Sequence, residues 1–112
     1  MQLATATNHI LQVEVASNFL RRFLGLMGRG RLAENRGLLL APCNSIHMCF
    51  MRFSIDAIYL DREYRVLKVV RHLRPWIGLS MCRDAWATLE LVAGTAECCG
   101  IEAGMQLSVI DG

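Results

Sequence analysis

The stretch from Ser45 to Leu60, SIHMCFMRFSIDAIYL, places the tightest limit on how this chain can fold. Read at period two, Ile46, Met48 and Phe50 fall on one side, and His47, Cys49, Met51 and Phe53 on the other. Neither side is polar. A strand with one face in water alternates cleanly, whereas a strand covered on both faces reads as a near-continuous apolar run. The stretch is therefore expected to supply central strands, the second running from about Ile55 to Leu60. His47, Arg52 and Asp56 are then expected beside or inside the core.

The rest of the chain is read around that centre. His9 to Ala16 alternates, with Leu11, Val13 and Val15 opposite Gln12 and Glu14, which predicts a half-buried strand near an edge. Residues 1–8 lack a pattern and are expected to form a loose N-terminal segment. Ser17 is placed to cap a helix over 18–27, where Phe19, Leu20, Phe23, Leu24 and Met27 recur at intervals of three and four. Gly37 to Ala41 reads as a short buried strand stopped by Pro42. Asp61 to Tyr64 reads as a turn joining 57–60 to a hairpin partner over 65–70. From Arg71 to Ala85 the periodicity fails, and a long loop is expected; such loops in compact domains are more often functional than idle. A strand over 86–92, a helical turn over 94–99 and a last strand over 105–110 complete the chain. The expected fold is mainly β, with about seven short, mostly antiparallel strands in a small barrel-like sheet and a helix plugging one end.

Composition narrows the function classes. At 112 residues, 54% of them hydrophobic, the chain is expected to be a single domain over 1–112. A net charge of +2 and the lack of a Lys/Arg stripe argue against a nucleic-acid footprint. No apolar run is long enough for a membrane span, and Met1 to Thr5 has neither the basic nor the apolar region of a secretory signal. Five cysteines without such a signal fit reduced thiols and a cytoplasmic location.

Several spaced motifs occur in one order: Arg22-x-x-Gly25-Leu26-Met27, Gly37-Leu38-Leu39, Phe50-Met51 followed by Ile55-Asp56, Leu89-Glu90-Leu91-x-Ala93-Gly94, and Gly100-Ile101-x-x-Gly104. The ordered set, spanning Leu11 to Val109, resembles the conserved prokaryotic family known as domain of unknown function 192, in a compact subgroup without a signal peptide. The resemblance implies a single β-rich domain built around the helix with the Gly-Leu-Met signature. It implies no established activity.

Four groups of residues carry possible chemistry. Cys43-x-x-x-His47-x-Cys49 is the densest set of potential ligands, but its spacing is not that of a structural zinc pair and a second half is missing. No metal and no cofactor are expected. A Cys–His nucleophile could be drawn from Cys43 or Cys82 with His47 or His72, and Cys82 is favoured because the neighbouring Arg83 stabilises a thiolate. No Gly-rich elbow surrounds any cysteine. Arg22, Arg52, Asp56 and Glu90 form a third set: a buried carboxylate such as Asp56 needs a partner, and a guanidinium matches it. The set is read as a structural ion pair, with the floor of a small anionic pocket as the alternative. The fourth set is Leu73-Arg74-Pro75-Trp76 with Cys82-Arg83, since Trp and Arg dominate contact surfaces; the alternative is Trp76 folded back as a lid.

The reading that follows is a small binding or accessory domain, monomer or weak homodimer, recognising a protein partner or small ligand through the 71–85 loop and the His47 strand end. Its surface would comprise His47, Met51, Arg74, Trp76, Cys82 and Arg83. The competing reading is a small enzyme with a Cys/His or Arg/Asp-lined pocket.

Overall fold

The computed structural model describes residues 1–16, 36–48 and 53–110. Their regular structure is nine strands, β1 (Gln2–Ala4), β2 (Ile10–Ala16), β3 (Arg36–Leu40), β4 (Ser45–His47), β5 (Ile55–Leu60), β6 (Val66–Leu73), β7 (Leu79–Met81), β8 (Ala87–Val92) and β9 (Ser108–Ile110), with one helical turn, α1 (Thr95–Cys98). Seven strands form one sheet in the order β6-β5-β8-β3-β2-β1-β9, and β4 and β7 form a separate ribbon. Among the described pairs only β2 and β3 run parallel. Their connection spans residues 17–35, so the helix expected over 18–27 lies outside the described residues. No helix among the described residues is long and apolar enough to cross a membrane.

The large sheet curls. Its ladder does not close, but the edge strand β6 is tied to the segment leading into β9 at the other edge. Arg65 and Gln106 form an isolated bridge. Val66 N donates to Met105 O at 2.8 Å, Gly104 N to Val66 O at 2.7 Å, and Leu107 N to Tyr64 O at 3.0 Å. The fold is thus mainly β and barrel-like in outline without being a closed barrel.

Two cores follow from the curl. One draws side chains from both ends of the strand order, including Leu3, Leu11, Leu39, Ile58, Leu89 and Leu107, and is therefore enclosed by the sheet. The other places Leu38, Leu40, Ala57 and Tyr59 of the sheet against Ile46 and Met48, which belong to the ribbon and its end. Strand β5 serves both. Ile55, Ala57 and Tyr59 face one core, Ile58 and Leu60 the other, and all six residues are buried. That is the two-sided burial expected for Ile55 to Leu60, and each large apolar side chain so covered contributes about 1.5–3 kcal/mol.

Three expectations are corrected. The described part of the first stretch, Ser45 to Met48, is not a central strand: Ser45–His47 is one half of the ribbon, with Ser45 and His47 exposed and Ile46 buried, and residues 49–52 lie outside the described residues. Strand β2 is not near an edge, because residues read as a loose segment supply β1, which pairs with both β2 and β9 and buries Leu3. Three residues are too few to show a period, so β1 was invisible to pattern. The loop expected over 71–85 starts later and is interrupted, since β6 runs on to Leu73 and β7 occupies 79–81.

The extension of β6 depends on Asp56. Between the pairs Ile55↔Leu73 and Ala57↔Val70 the partner strand carries one extra residue, a bulge opposite Asp56. His72 there has φ of 56°, and its N–H leaves the ladder to reach Asp56 Oδ1 at 3.0 Å. Oδ2 accepts from Gly94 N at 3.0 Å and from Ala96 N, at the start of α1, at 2.9 Å. The fully buried carboxylate therefore has the partners that burial demands, but among the described residues they are backbone amides of β6, of Gly94 and of α1. Arg22 and Arg52, expected as partners, lie outside the described residues.

Charge-assisted hydrogen bonds each contribute about 1.5–3 kcal/mol, so Asp56→Ala is expected to lower unfolding stability by about 3 kcal/mol or more. Asp56→Asn keeps an acceptor for part of this set and should lose less. Chemical denaturation of the three proteins orders them; equal midpoints would show that Asp56 does not hold these elements together.

Candidate functional site

The ribbon is where sequence logic and burial part company. In β7 the apolar side chains point out and the polar one points in: Leu79 is 77% exposed and Met81 59%, while Ser80 is half-buried with a buried hydroxyl. Slipping the strand by one residue would reverse that arrangement. The register is nevertheless held firmly. Cys82 N donates to Asn44 O at 2.8 Å, Met48 N to Gly78 O at 2.9 Å, Trp76 N to Met48 O at 2.8 Å and Gly78 N to Arg74 O at 2.9 Å. Lys68 Nζ, reaching over from β6, donates to Met81 O at 2.9 Å. At Gly78 a Cβ would fall 2.7 Å from both Arg74 O and Met48 Cγ, so the tip packs only because this residue has no side chain.

Two more large apolar side chains are exposed in the turn that precedes β7, Trp76 at 57% and Ile77 at 74%. Trp76 has φ of 70°, a region that bulky residues seldom occupy and that recurs at ligand clamps and switch regions. His47 is the cross-strand partner of Leu79 and is likewise exposed. The result is a run of exposed apolar side chains, Trp76, Ile77, Leu79 and Met81, held by backbone bonds instead of by burial, with Arg74 exposed at the same tip as Trp76. Exposed apolar clusters on an otherwise well-packed domain mark interaction sites.

The inner face of the ribbon covers a polar group. Tyr59, fully buried on β5, carries its hydroxyl under Ser80; both oxygens are buried, and neither has a hydrogen-bond partner among the described residues. Burial pushes the Tyr59 phenol above its usual value of 10.0; the Ser80 hydroxyl, near but outside bonding geometry, opposes the rise, and Cys43, Cys82 and Glu90 add to it. Glu90 is buried in β8 beside Ala57 and Leu38. Cys43 Sγ donates to Ser45 O at 3.1 Å.

The structure thus divides the residues singled out from the sequence. His47, Arg74 and Trp76 share the tip of the ribbon. Arg83 is exposed beyond the far end of β7, where its carbonyl accepts from Asn44 Nδ2 at 3.5 Å. Cys82 is half-buried, packs into the second core and makes no side-chain hydrogen bond to His47 or His72 among the described residues. Cys43 is buried while His47 is exposed, so they do not converge, and no group of three possible metal ligands occurs among the described residues. Met51 and Cys49 lie outside the described residues. Sequence reasoning missed Ile77, Leu79 and Met81, whose spacing of two is a strand signal lost between Gly78 and the irregular residues around it. It also missed the Tyr59–Ser80 pair.

A separate open groove of about 600 Å³ lies by the β5–β6 turn, lined by Asn44, Asp61, Arg62, Glu63, Asp84 and Trp86 among others. It is already furnished from within. Arg62 lies over the Trp86 ring, 5.8 Å from its centroid, and Tyr64 meets that ring edge-on at 5.7 Å. Asp61 Oδ1 accepts from Glu63 N and Arg65 N, both at 2.9 Å, and so shapes the turn.

Comparison with known proteins adds family and fold. The DUF192 family model, described as an uncharacterized ACR, matches residues 1–109. A UPF0127 protein of Pyrococcus furiosus is 34% identical over 104 residues, covering 87% of this chain and 85% of that protein. A UPF0127 protein of Pyrococcus horikoshii is 41% identical over 68 residues, 58% of each. Among solved structures, one from Sinorhizobium meliloti, provisionally described as a transcription regulator, superposes with a TM-score of 0.84 at 25% identity, covering 96% of this chain and 89% of that one. A protein of unknown function from Novosphingobium aromaticivorans gives a TM-score of 0.83 at 21% identity over 96% and 82% of the two chains. It shares the fold.

Two outcomes test this description. A buried hydroxyl without a partner costs about 1–3 kcal/mol, so Tyr59→Phe is expected to leave stability unchanged or raise it by up to about 1 kcal/mol. Because the folded-state phenol is raised, its contribution is intact below pH 10.0 and is lost as pH climbs through the raised value. Tyr59→Phe should therefore weaken the alkaline fall in stability, as read from melting curves between pH 8 and roughly 11. Thiol alkylation gives the second check. Among the described cysteines, exposed Cys98 should react first and half-buried Cys82 more slowly. Cys43 is buried, and burial together with neighbouring Cys98 pushes the Cys99 thiol up, so both should react only on unfolding. A Cys82 that outpaces Cys98 at neutral pH would instead favour a nucleophilic enzyme.

Proposed function

Because the chain belongs to the DUF192 family, described as uncharacterized, we propose its role from the surface it presents: a binding or accessory domain whose recognition element is the outer face of the β4–β7 ribbon. The observation that carries this reading is the inverted burial of β7. Hiding Leu79 and Met81 would stabilise the fold by about 1.5–3 kcal/mol each, yet the backbone bonds at both ends of the ribbon hold them in solvent. His47, Arg74 and Trp76 lie at the same tip and supply the polar and aromatic contacts that commonly dominate binding energy. Arg83 and Cys82 close the opposite end, with only Arg83 fully exposed.

The enzyme reading draws on the inner group of Tyr59, Ser80, Cys82 and Glu90. Its support is weaker, since Tyr59 and Glu90 are buried and half-buried Cys82 makes no side-chain hydrogen bond to His47 or His72 among the described residues. Catalysis needs reacting groups within hydrogen-bond reach of one another and of substrate.

The test separates folding from recognition. Trp76→Ala and Leu79→Ser remove exposed side chains, so each should change stability by no more than about 0.5 kcal/mol. Capture of partners from the native host, wild type beside both variants, should yield a protein retained by wild type and depleted at least ten-fold by each folded variant. Equal capture by all three would remove the ribbon as the recognition surface.

A further inference from the structure

We propose that the occupant of this surface is an acidic polypeptide segment that binds in extended form, as an added strand on the free edge of β7. The inference rests on the ribbon being the recognition element. It begins with main-chain geometry. In an antiparallel ladder, hydrogen-bonded and non-bonded residue pairs alternate. Asn44 with Cys82 and Met48 with Gly78 are bonded, and Ile46↔Ser80 falls midway between them in register. The intervening pairs, Ser45↔Met81 and His47↔Leu79, are then non-bonded, and their amides and carbonyls point away from the ribbon. The bond from Lys68 Nζ to Met81 O at 2.9 Å reports that outward direction directly. Leu79 N–H, Leu79 C=O and Met81 N–H remain along the same edge, and none makes a main-chain bond outside the ladder among the described residues. An edge with open main-chain groups and exposed alternate side chains is what an added strand requires.

Charge selects the partner. From Val66 to Trp86 the chain carries four basic side chains, Lys68, Arg71, Arg74 and Arg83, all exposed, against one carboxylate, Asp84. A second copy pairing on the same edge would bring two such sets together, which opposes self-association. A segment alternating acidic with apolar residues matches both features: its apolar side chains meet Leu79 and Met81, and its carboxylates meet the surrounding cations. Lys68, which caps Met81 O in the free protein, is placed to turn to such a carboxylate.

The experiment uses the full chain and labelled, end-blocked ten-residue peptides followed by fluorescence anisotropy. The first alternates Glu with Val, the second Lys with Val, and the third repeats the Glu peptide with N-methyl groups on the amides of one edge. A ten-nucleotide single strand of thymidine is the fourth probe. The Glu peptide should bind at least ten-fold more tightly than the other three. Met81→Pro removes an N–H that the β4 pairing does not use and should cut that binding at least ten-fold. Leu79→Asp, unchanged in backbone, should do the same by charge. Equal binding of the Lys peptide or the oligonucleotide, or indifference to N-methylation, would overturn the acidic-strand assignment. So would the absence of all binding. In each of those cases the partner capture with Trp76→Ala and Leu79→Ser still decides separately whether the ribbon is a recognition surface.

Discussion

Burial of β5 on both faces is the constraint from which the rest of this structure follows. A strand that is covered twice needs two cores, and the chain builds them differently. The first forms inside the curl of the seven-stranded sheet, whose edges are drawn together by bonds between the start of β6 and residues 104–107. The second needs a separate cover, and part of that cover is the ribbon of β4 and β7, which presses Ile46 and Met48 onto Leu38, Leu40, Ala57 and Tyr59. The ribbon is thus structural on one face. Its other face leaves Leu79 and Met81 exposed.

Asp56 joins the two ends of this arrangement. Its carboxylate holds the bulge of β6 and the first turn of α1, so the position where β6 leads into the Arg74–Trp76 tip is set by a buried charge satisfied through three amides. Such a group is costly to bury and costly to disturb, because removing it leaves several donors without partners at once. The tip itself is fixed by a second device, the close approach of Gly78 to Arg74 and Met48. Between them they allow Trp76, Ile77, Leu79 and Met81 to remain exposed without collapsing onto the core.

Much of this could be read in the chain, and the failures have physical causes. Ile55 to Leu60 was legible as a two-sided strand because all of its residues but Asp56 are apolar or aromatic. The β5–β6 hairpin was legible from Asp61 in its turn. Ser45 to Met48 misled because Ile46 and Met48 are apolar for the sake of the second core alone, while His47 stands in solvent; a run of apolar residues does not distinguish a central strand from a short cover. Asp56 was recognised as a buried carboxylate needing partners, but donors on the backbone leave no mark in sequence, and a guanidinium was the partner that side chains could suggest.

The sequence by itself determined a mainly β chain centred on Ile55–Leu60 and the family to which it belongs. Alternation, turn chemistry and ordered motifs are local properties, and they survive without coordinates. Only the tertiary structure decided which face of each strand meets water. It paired β4 with β7 across more than thirty residues of chain, turned Leu79 and Met81 outward and Ser80 inward, and among the described residues gave β7 no second strand partner. That outcome depends on long-range backbone bonds and on the volume the second core leaves to fill, neither of which is written at the positions it governs.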